Sequence, residues 1–314
     1  MLVDGDPLSC TTYIVERPSS GFGRSVAIIS LNRVKSRNAF SLRMHRELDA
    51  LFDVACEDPN VGAIILRADG PHFSSGHDLG SSTHLADLKS RDFDGRYGGE
   101  VEGSFQKWSE LDVEMCLRWR QLPKPLLCGI KGYTIYHATA VVGVCDIVLA
   151  DDTLKFMPGL LEMNTLLYDV GLAAKKAKEL LMTQRFVLAP EALQLGLVNR
   201  IVPAADLDAE LFHLACIISQ SDPFQLRMAK RAVNQAQDMA GLSAAARASL
   251  GEWTAFRWSW TERLKLAGGT ALTADHGGTQ KTLAPVAHAN SEAVMRLSRG
   301  ASGLLDHPTR HSKI

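Results

Sequence analysis

Two histidines stand where this sequence breaks its own hydrophobic rhythm. His77 lies in PHFSSGHDLG (71–80), just after the apolar run AIILR (63–67), and His137 lies in KGYTIYHATAVVGVCD (131–146), after a second apolar run that ends at Ile130. Short continuous apolar runs read as strands buried on both faces, and ligands bind beyond the carboxyl ends of such parallel strands. A Ser/Gly-rich turn lets a ligand approach the backbone closely, with N–H groups facing it. A glycine and then a short helix of small residues adds a helix N-terminus, with its unsatisfied N–H groups and positive dipole end. Two N–H groups converging on one point form an oxyanion hole, worth about 3–4 kcal/mol per donor in a dry, pre-organised site. An imidazole at 137 could also act as a general base or hydrogen-bond donor near neutral pH. The plainer alternatives are a strand-to-helix connection capped by Asp78 and a packed core histidine at 137. His45 and His72 read as surface residues, and the side chain of His77 as incidental to its backbone.

The elements that must position these turns follow from periodicity. Residues 11–15 and 25–32 alternate and flank turn residues 18–23, which predicts an N-terminal hairpin. Apolar residues from Leu42 to Ala55 recur at helical spacing, with Ser41 as N-cap and Asp58-Pro59 as stop. Helix 105–121, strand 125–130, a small-residue helix 134–143 and strand 147–150 continue an alternation that argues for a mostly parallel sheet with crossover helices. Beyond about Leu172 the strands nearly vanish and helical patterns take over, ending in a tryptophan-bearing helix 244–266 whose Trp253, Phe256, Trp258 and Trp260 read as a packing stripe. Residues 80–103 read as a long loop of the kind that forms lids, and the polar stretch after Gly268 as loosely ordered.

Bulk properties exclude several classes. The 314 residues carry 34 basic and 35 acidic side chains, a net charge of −1, so no electrostatic footprint for nucleic acid exists. Six scattered cysteines show no short-spaced pair, which argues against a disulfide framework or a zinc site, and no metal is expected. No apolar run approaches the ~18 residues needed to span a bilayer. The opening MLVDGDPLSC lacks the basic and then apolar character of a signal peptide, so the expectation is a cytoplasmic protein.

Several segments together bring a family into view. LNRVKSRNAFS (31–41), AIILRADGPHFSSGHDLG (63–80), KPLLCGIKGY (124–133), CDIVLA (145–150) and ELLMTQRFVLAPEALQLGLVNRIV (179–202) occur in the order found in the crotonase (enoyl-CoA hydratase/isomerase) superfamily, and residues 26–234 resemble it. The resemblance implies an α/β fold, a crotonase-like spiral of ββα units with a helical C-terminal region. It divides the chain into a core at 1–200, a helical trimerisation region at 201–268 and a polar tail at 269–314. It also implies a small-molecule acyl-CoA substrate, with coenzyme A as part of the substrate and no permanently bound cofactor, and assembly as a homo-trimer or dimer of trimers. By position, the oxyanion donors fall at the N–H groups of His77 and His137. Lys35, Arg37, Asn38, Ala39, Ser74 and Ser75 lie where relatives line coenzyme A.

The sequence departs from the family at the reacting centre. The two glutamates of the hydratases would fall at Ala140 and Leu160, and neither is present. Asp169 is the preferred substitute acid, with Glu162 available if its loop shifts by two residues. Tyr136-His137-Ala138 replaces a glycine triplet, and a histidine at the middle position resembles the β-diketone hydrolases of the superfamily. Those carry a later His–Asp pair, of which Leu161 occupies the histidine's place while Asp169 lies within one residue of the acid. Three readings therefore stand: an acyl-CoA hydratase or isomerase, a hydrolase that cleaves carbon–carbon bonds of β-diketones, and a catalytically silent family member.

Overall fold

Strand β2 (Ser25–Leu31) has every residue buried, and its side chains alternate between two separate apolar layers. In the computed structural model, which describes residues 10–19, 21, 23–78, 81–82, 101–159, 173–266, 289 and 292–293, this strand belongs to a six-stranded sheet. β1 (Thr11–Glu16) pairs with it antiparallel, as the expected hairpin. β3 (Val61–Ala68), β4 (Leu126–Ile130), β6 (Ile147–Asp151) and β9 (Arg200–Val202) then follow in parallel, in the order β1-β2-β3-β4-β6-β9. On one face Ile29, Leu31, Ile64, Leu66, Leu126 and Cys128 pack in the large core with helix α1 (Leu42–Glu57). On the other, Ile28, Ala63, Ile65, Leu127 and Leu149 pack against Leu207, Leu211 and Ala215 of helix α7 (Leu207–Ser219). Burial on both faces is why these strands read as continuous apolar runs. Each large side chain so buried contributes roughly 1.5–3 kcal/mol.

A second, three-stranded sheet lies beside the site: β5 (Tyr133–Ile135) runs parallel to β7 (Lys155–Met157), which pairs antiparallel with β8 (Val187–Leu188). The helix expected over 134–143 is shorter than its small residues suggested. Thr134 and Ile135 lie in β5, and helix α4 (His137–Gly143) starts only after Tyr136, because both backbone edges of that segment are taken by strand partners. The helix expected over 105–121 starts earlier and is interrupted. α2 (Val101–Trp108) passes through a π-helical turn, Ser109–Glu114, into α3 (Met115–Arg120). Strands also persist past Leu172, since β8 and β9 are built from short apolar pieces that gain their partners only across the fold.

The remaining helices match the expected periodicity: α5 (Ala174–Thr183), α6 (Ala189–Gln194), α7, α8 (Pro223–Ala240) and α9 (Leu242–Leu266). The structure is thus of the expected α/β class with a helical C-terminal portion. Residues 80 and 83–100 of the expected lid, and the tail apart from 289 and 292–293, lie outside the described residues, while 101–103 are helical.

Candidate active site

The turn that follows β3 and the segment that follows β4 are zipped together like a short parallel ladder. Phe73 N donates to Lys131 O at 2.8 Å, Ser74 N to Tyr133 O at 2.9 Å, and Ile135 N to Ser74 O at 3.2 Å. Gly76 and Gly132 permit this closeness. Gly76 has φ 87°, and a Cβ there would sit 2.8 Å from Ile135 O; at Gly132, with φ 51°, one would sit 2.2 Å from Pro71 O. On its other side the turn bridges to Phe40, which donates to Gly76 O at 2.8 Å and accepts from Asp78 N at 2.9 Å. Asp78 is fixed in turn by Arg33, whose guanidinium lies 2.7 Å from Oδ2. Burial pushes this carboxyl's pKa up, but hydrogen bonds from Ser81 and Arg33 outweigh it and leave the group below its ordinary value.

This zipper delivers His77 and His137 to one place, with ring centroids 4.4 Å apart. Tyr136, just before α4, adopts φ 51° and ψ −118°, a glycine-like conformation held by a residue with a Cβ. Such strain concentrates at functional sites. His137 begins α4, so its N–H has no acceptor within the helix.

Two more residues join them. His45 is 1% exposed, not the surface residue its neighbours in sequence suggested: it sits three residues after Leu42 and three before Leu48, on the apolar stripe of α1. Its Nδ1 lies 2.8 Å from the Ser41 carbonyl and its Nε2 lies 2.8 Å from His137 Nε2. Asp112, inside the π-helical turn, is 7% exposed. Its carboxylate lies 3.3 Å from His77 Nε2, 3.5 Å from His137 Nδ1 and 3.7 Å from His45 Nε2. π-turns recur at functional sites because the extra residue re-aims side chains. Phe40 packs edge-on against His137, and Trp108 against His77, with Trp253 of α9 behind Trp108.

Burial dominates the electrostatics. It pulls the pKa of His45 down to about 4, with Asp112 opposing and His77 adding to the fall. Burial also drives that of His137 well below its ordinary value, again against Asp112. Both rings are therefore neutral at pH 7. A carbonyl can only accept, so His45 Nδ1 carries the proton and Nε2 the lone pair. His137 must then donate through Nε2, which leaves its Nδ1 lone pair facing Asp112 Oδ1 at 3.5 Å.

The other expected site residues are scattered in environment. Lys35 and Arg37 are exposed and Ser75 is half-buried, its N–H donating to Arg37 O at 3.0 Å. Asn38, Ala39 and Ser74 are buried. The Asn38 amide donates to Asp69 O and His72 O and accepts from Arg33 N, and Ser74 Oγ accepts from Gly76 N. His72 is half-buried rather than superficial, because its Nδ1 accepts from Tyr133 N at 3.2 Å. Glu162 and Asp169 lie outside the described residues. A cavity of about 560 Å³ is lined by Thr139, Ala140, Phe156, Leu181 and Lys230 among others, and by none of the three clustered histidines or Asp112. Sequence reasoning missed His45 and Asp112. The available signal was a titratable residue on an otherwise apolar stripe, in LRMHREL and again in ELDVEMCL.

Comparison with known proteins agrees with this architecture. A family model described as Enoyl-CoA hydratase/isomerase matches residues 21–251. The chain is 29% identical to the enoyl-CoA hydratase EchA19 of Mycobacterium tuberculosis over 68% of its own length and 78% of that protein's. It is 38% identical to the mitochondrial enoyl-CoA hydratase domain-containing protein 3 of Mus musculus over 61% of each. Among solved structures, an enoyl-CoA hydratase/isomerase from Xanthobacter autotrophicus Py2 superposes with a TM-score of 0.63 at 26% identity, covering 95% of this chain and 98% of that one.

Proposed function

This chain belongs to the enoyl-CoA hydratase/isomerase family, and we propose that it processes an acyl-CoA through a thioester enolate held by the backbone N–H groups of His77 and His137. The observation that carries this reading is the zipper between residues 73–74 and 131–135, which sets these two residues side by side. The enolate oxygen would gain charge as the α-proton leaves, and N–H donors fixed before the reaction stabilise it without reorganisation. His137, Asp169 or Glu162 would move the proton. Lys35, Arg37 and Ser75 would meet the coenzyme A portion of the substrate, while Asn38, Ala39 and Ser74 would shape the turn beneath it. No cofactor beyond the substrate's own coenzyme A enters this scheme. The division into core, helical region and tail, a cytoplasmic setting, and assembly as a trimer or dimer of trimers belong to the same proposal. Exposed apolar residues on α8, including Phe224 and Met239, support self-association. No helix of the described residues is long and apolar enough to cross a membrane. Crotonyl-CoA hydration and calorimetric binding of its thioester test the reading. Absence of both turnover and binding would sink it.

One observation favours the β-diketone hydrolase as a second reading: His137 has a buried carboxylate and a second imidazole for partners. Here the same N–H pair would hold an enolate leaving group while a base-activated water attacks the other carbonyl. Cleavage of a bicyclic diketone, lost in His137→Ala with the fold intact, is the expected result.

A further inference from the structure

Four ligand-bearing side chains from four different parts of the chain meet at one point. His45 comes from α1, His77 from the turn after β3, Asp112 from the π-helical turn and His137 from the start of α4, and their ligand atoms all lie within 4.8 Å of one another. Each is buried, at 1%, 8%, 7% and 1% exposure respectively. Three imidazoles packed around one carboxylate would be held together by a cation in their midst.

The separations match those around a shared ion. Two ligand atoms sharing one ion at about 2.0–2.2 Å each lie roughly 3–3.5 Å apart in tetrahedral or octahedral geometry. Asp112 Oδ2 stands 3.3 Å from His77 Nε2 and its Oδ1 stands 3.5 Å from His137 Nδ1, so the carboxylate would reach the ion through both oxygens. The hydrogen-bond pattern makes the same point independently. His45 Nδ1 lies against Ser41 O and its Nε2 against His137 Nε2, so the nitrogen of His137 turned toward Asp112 is Nδ1. A cation between that nitrogen and the carboxylate would be held by both.

We propose that His77, Asp112 and His137 bind a divalent first-row transition-metal ion, with His45 holding His137 in the ligating tautomer. The chemistry of the donors selects the class, since imidazole suits zinc, iron, nickel or copper, whereas calcium and magnesium prefer all-oxygen sites. His45 plays the part that an outer hydrogen-bond partner plays for a metal-bound histidine, fixing ring orientation through the other nitrogen. Three protein ligands leave a coordination position open. The sequence offered no ligand spacing from which to expect this, and the expectation of no metal is revised accordingly. The inference goes beyond the acyl-CoA reading and does not rest on it.

The test uses the full chain, stripped by a chelator, dialysed and titrated with Zn²⁺ by calorimetry. One equivalent should bind with micromolar or tighter affinity, and Asp112→Asn and His137→Gln should each weaken binding at least tenfold. His45→Leu should weaken it by roughly ten- to a hundredfold. His213→Ala, an exposed histidine on α7, should change nothing. Because cluster variants can unfold, the wild type is also loaded with Co²⁺ for visible d–d spectra and with Zn²⁺ for X-ray absorption, which should report at least two imidazole ligands. Failure of the wild type to bind, an imidazole-free spectrum, or unchanged affinity in folded Asp112→Asn and His137→Gln would each overturn the proposal. Crotonyl-CoA turnover is read separately, so a zinc-binding but inactive protein would sink only the acyl-CoA reading.

Discussion

The Nε2 atoms of His45 and His137 lie 2.8 Å apart although 92 residues separate them in the chain. One ring stands on the inner stripe of α1 and the other at the first position of α4, so the contact locks the two helices together at the site. Neutral imidazoles can share a single proton in this way; two imidazolium ions could not occupy the same positions.

That contact predicts an acid-sensitive fold. The pKa of His45 is about 4 in the folded chain against an ordinary 6.5, and that of His137 moves in the same direction. A histidine held neutral by burial contributes stability above its unfolded pKa and loses it as pH falls toward its folded one. Protonating His45 in the folded chain therefore withdraws roughly 3 kcal/mol of stability, progressively between about 6.5 and 4. Urea unfolding of metal-free protein across this range should show the decline, and His45→Leu should flatten it. Parallel profiles for the two proteins would refute the assignment.

Asp78→Ala should cost about 3–5 kcal/mol, because both side chains are under a tenth exposed and the Arg33 charge would keep only the neutral Ala39 carbonyl and Ser81 hydroxyl as partners. A loss below about 1 kcal/mol, the value for a surface pair, would show that the arginine finds water instead. Thermal or urea unfolding decides between these.

Gly76→Ala would place a methyl group 2.8 Å from the Ile135 carbonyl at a φ of 87°. Strain of that kind costs on the order of 1–3 kcal/mol. The larger consequence should be catalytic, since the methyl group wedges apart the segments bearing His77 and His137. A misplacement near 1 Å is worth about a hundredfold in rate. Steady-state kinetics with crotonyl-CoA, set beside unfolding data, would separate the two effects. Unchanged kcat in the folded variant would mean that the spacing of these segments does not govern activity.

Asn38→Ala removes an amide that serves Arg33 N, Asp69 O and His72 O from a buried position. About 2–4 kcal/mol of stability should go with it, from buried groups left without partners. Should KM for an acyl-CoA rise while stability holds, Asn38 would be a substrate contact and not the scaffold of the turn.

How much of this was legible beforehand varies by element. The parallel strands were plain in AIILR and LLCGI because burial on both faces writes itself as an unbroken apolar run. α1 was equally plain, with Ser41 capping it by accepting from Met44 N. β5 was not, since Tyr133, Thr134 and Ile135 favour strands but make a run of only three residues, and partners at Ser74 and Lys155–Met157 hold them in that state. The π-helical turn that aims Asp112 inward was equally hidden, being one extra residue within a helical pattern.

By itself, the sequence determined the α/β layering, the hairpin, the positions of the long helices and the two turns that bear His77 and His137. Each of these is written in a window of a dozen residues, where periodicity, caps and breakers act locally. Only the tertiary structure decided that His45 and Asp112 belong with those histidines. Their meeting depends on how α1 and the π-helical turn are packed over the ends of β3 and β4, a relation among segments dozens of residues apart that no local pattern encodes.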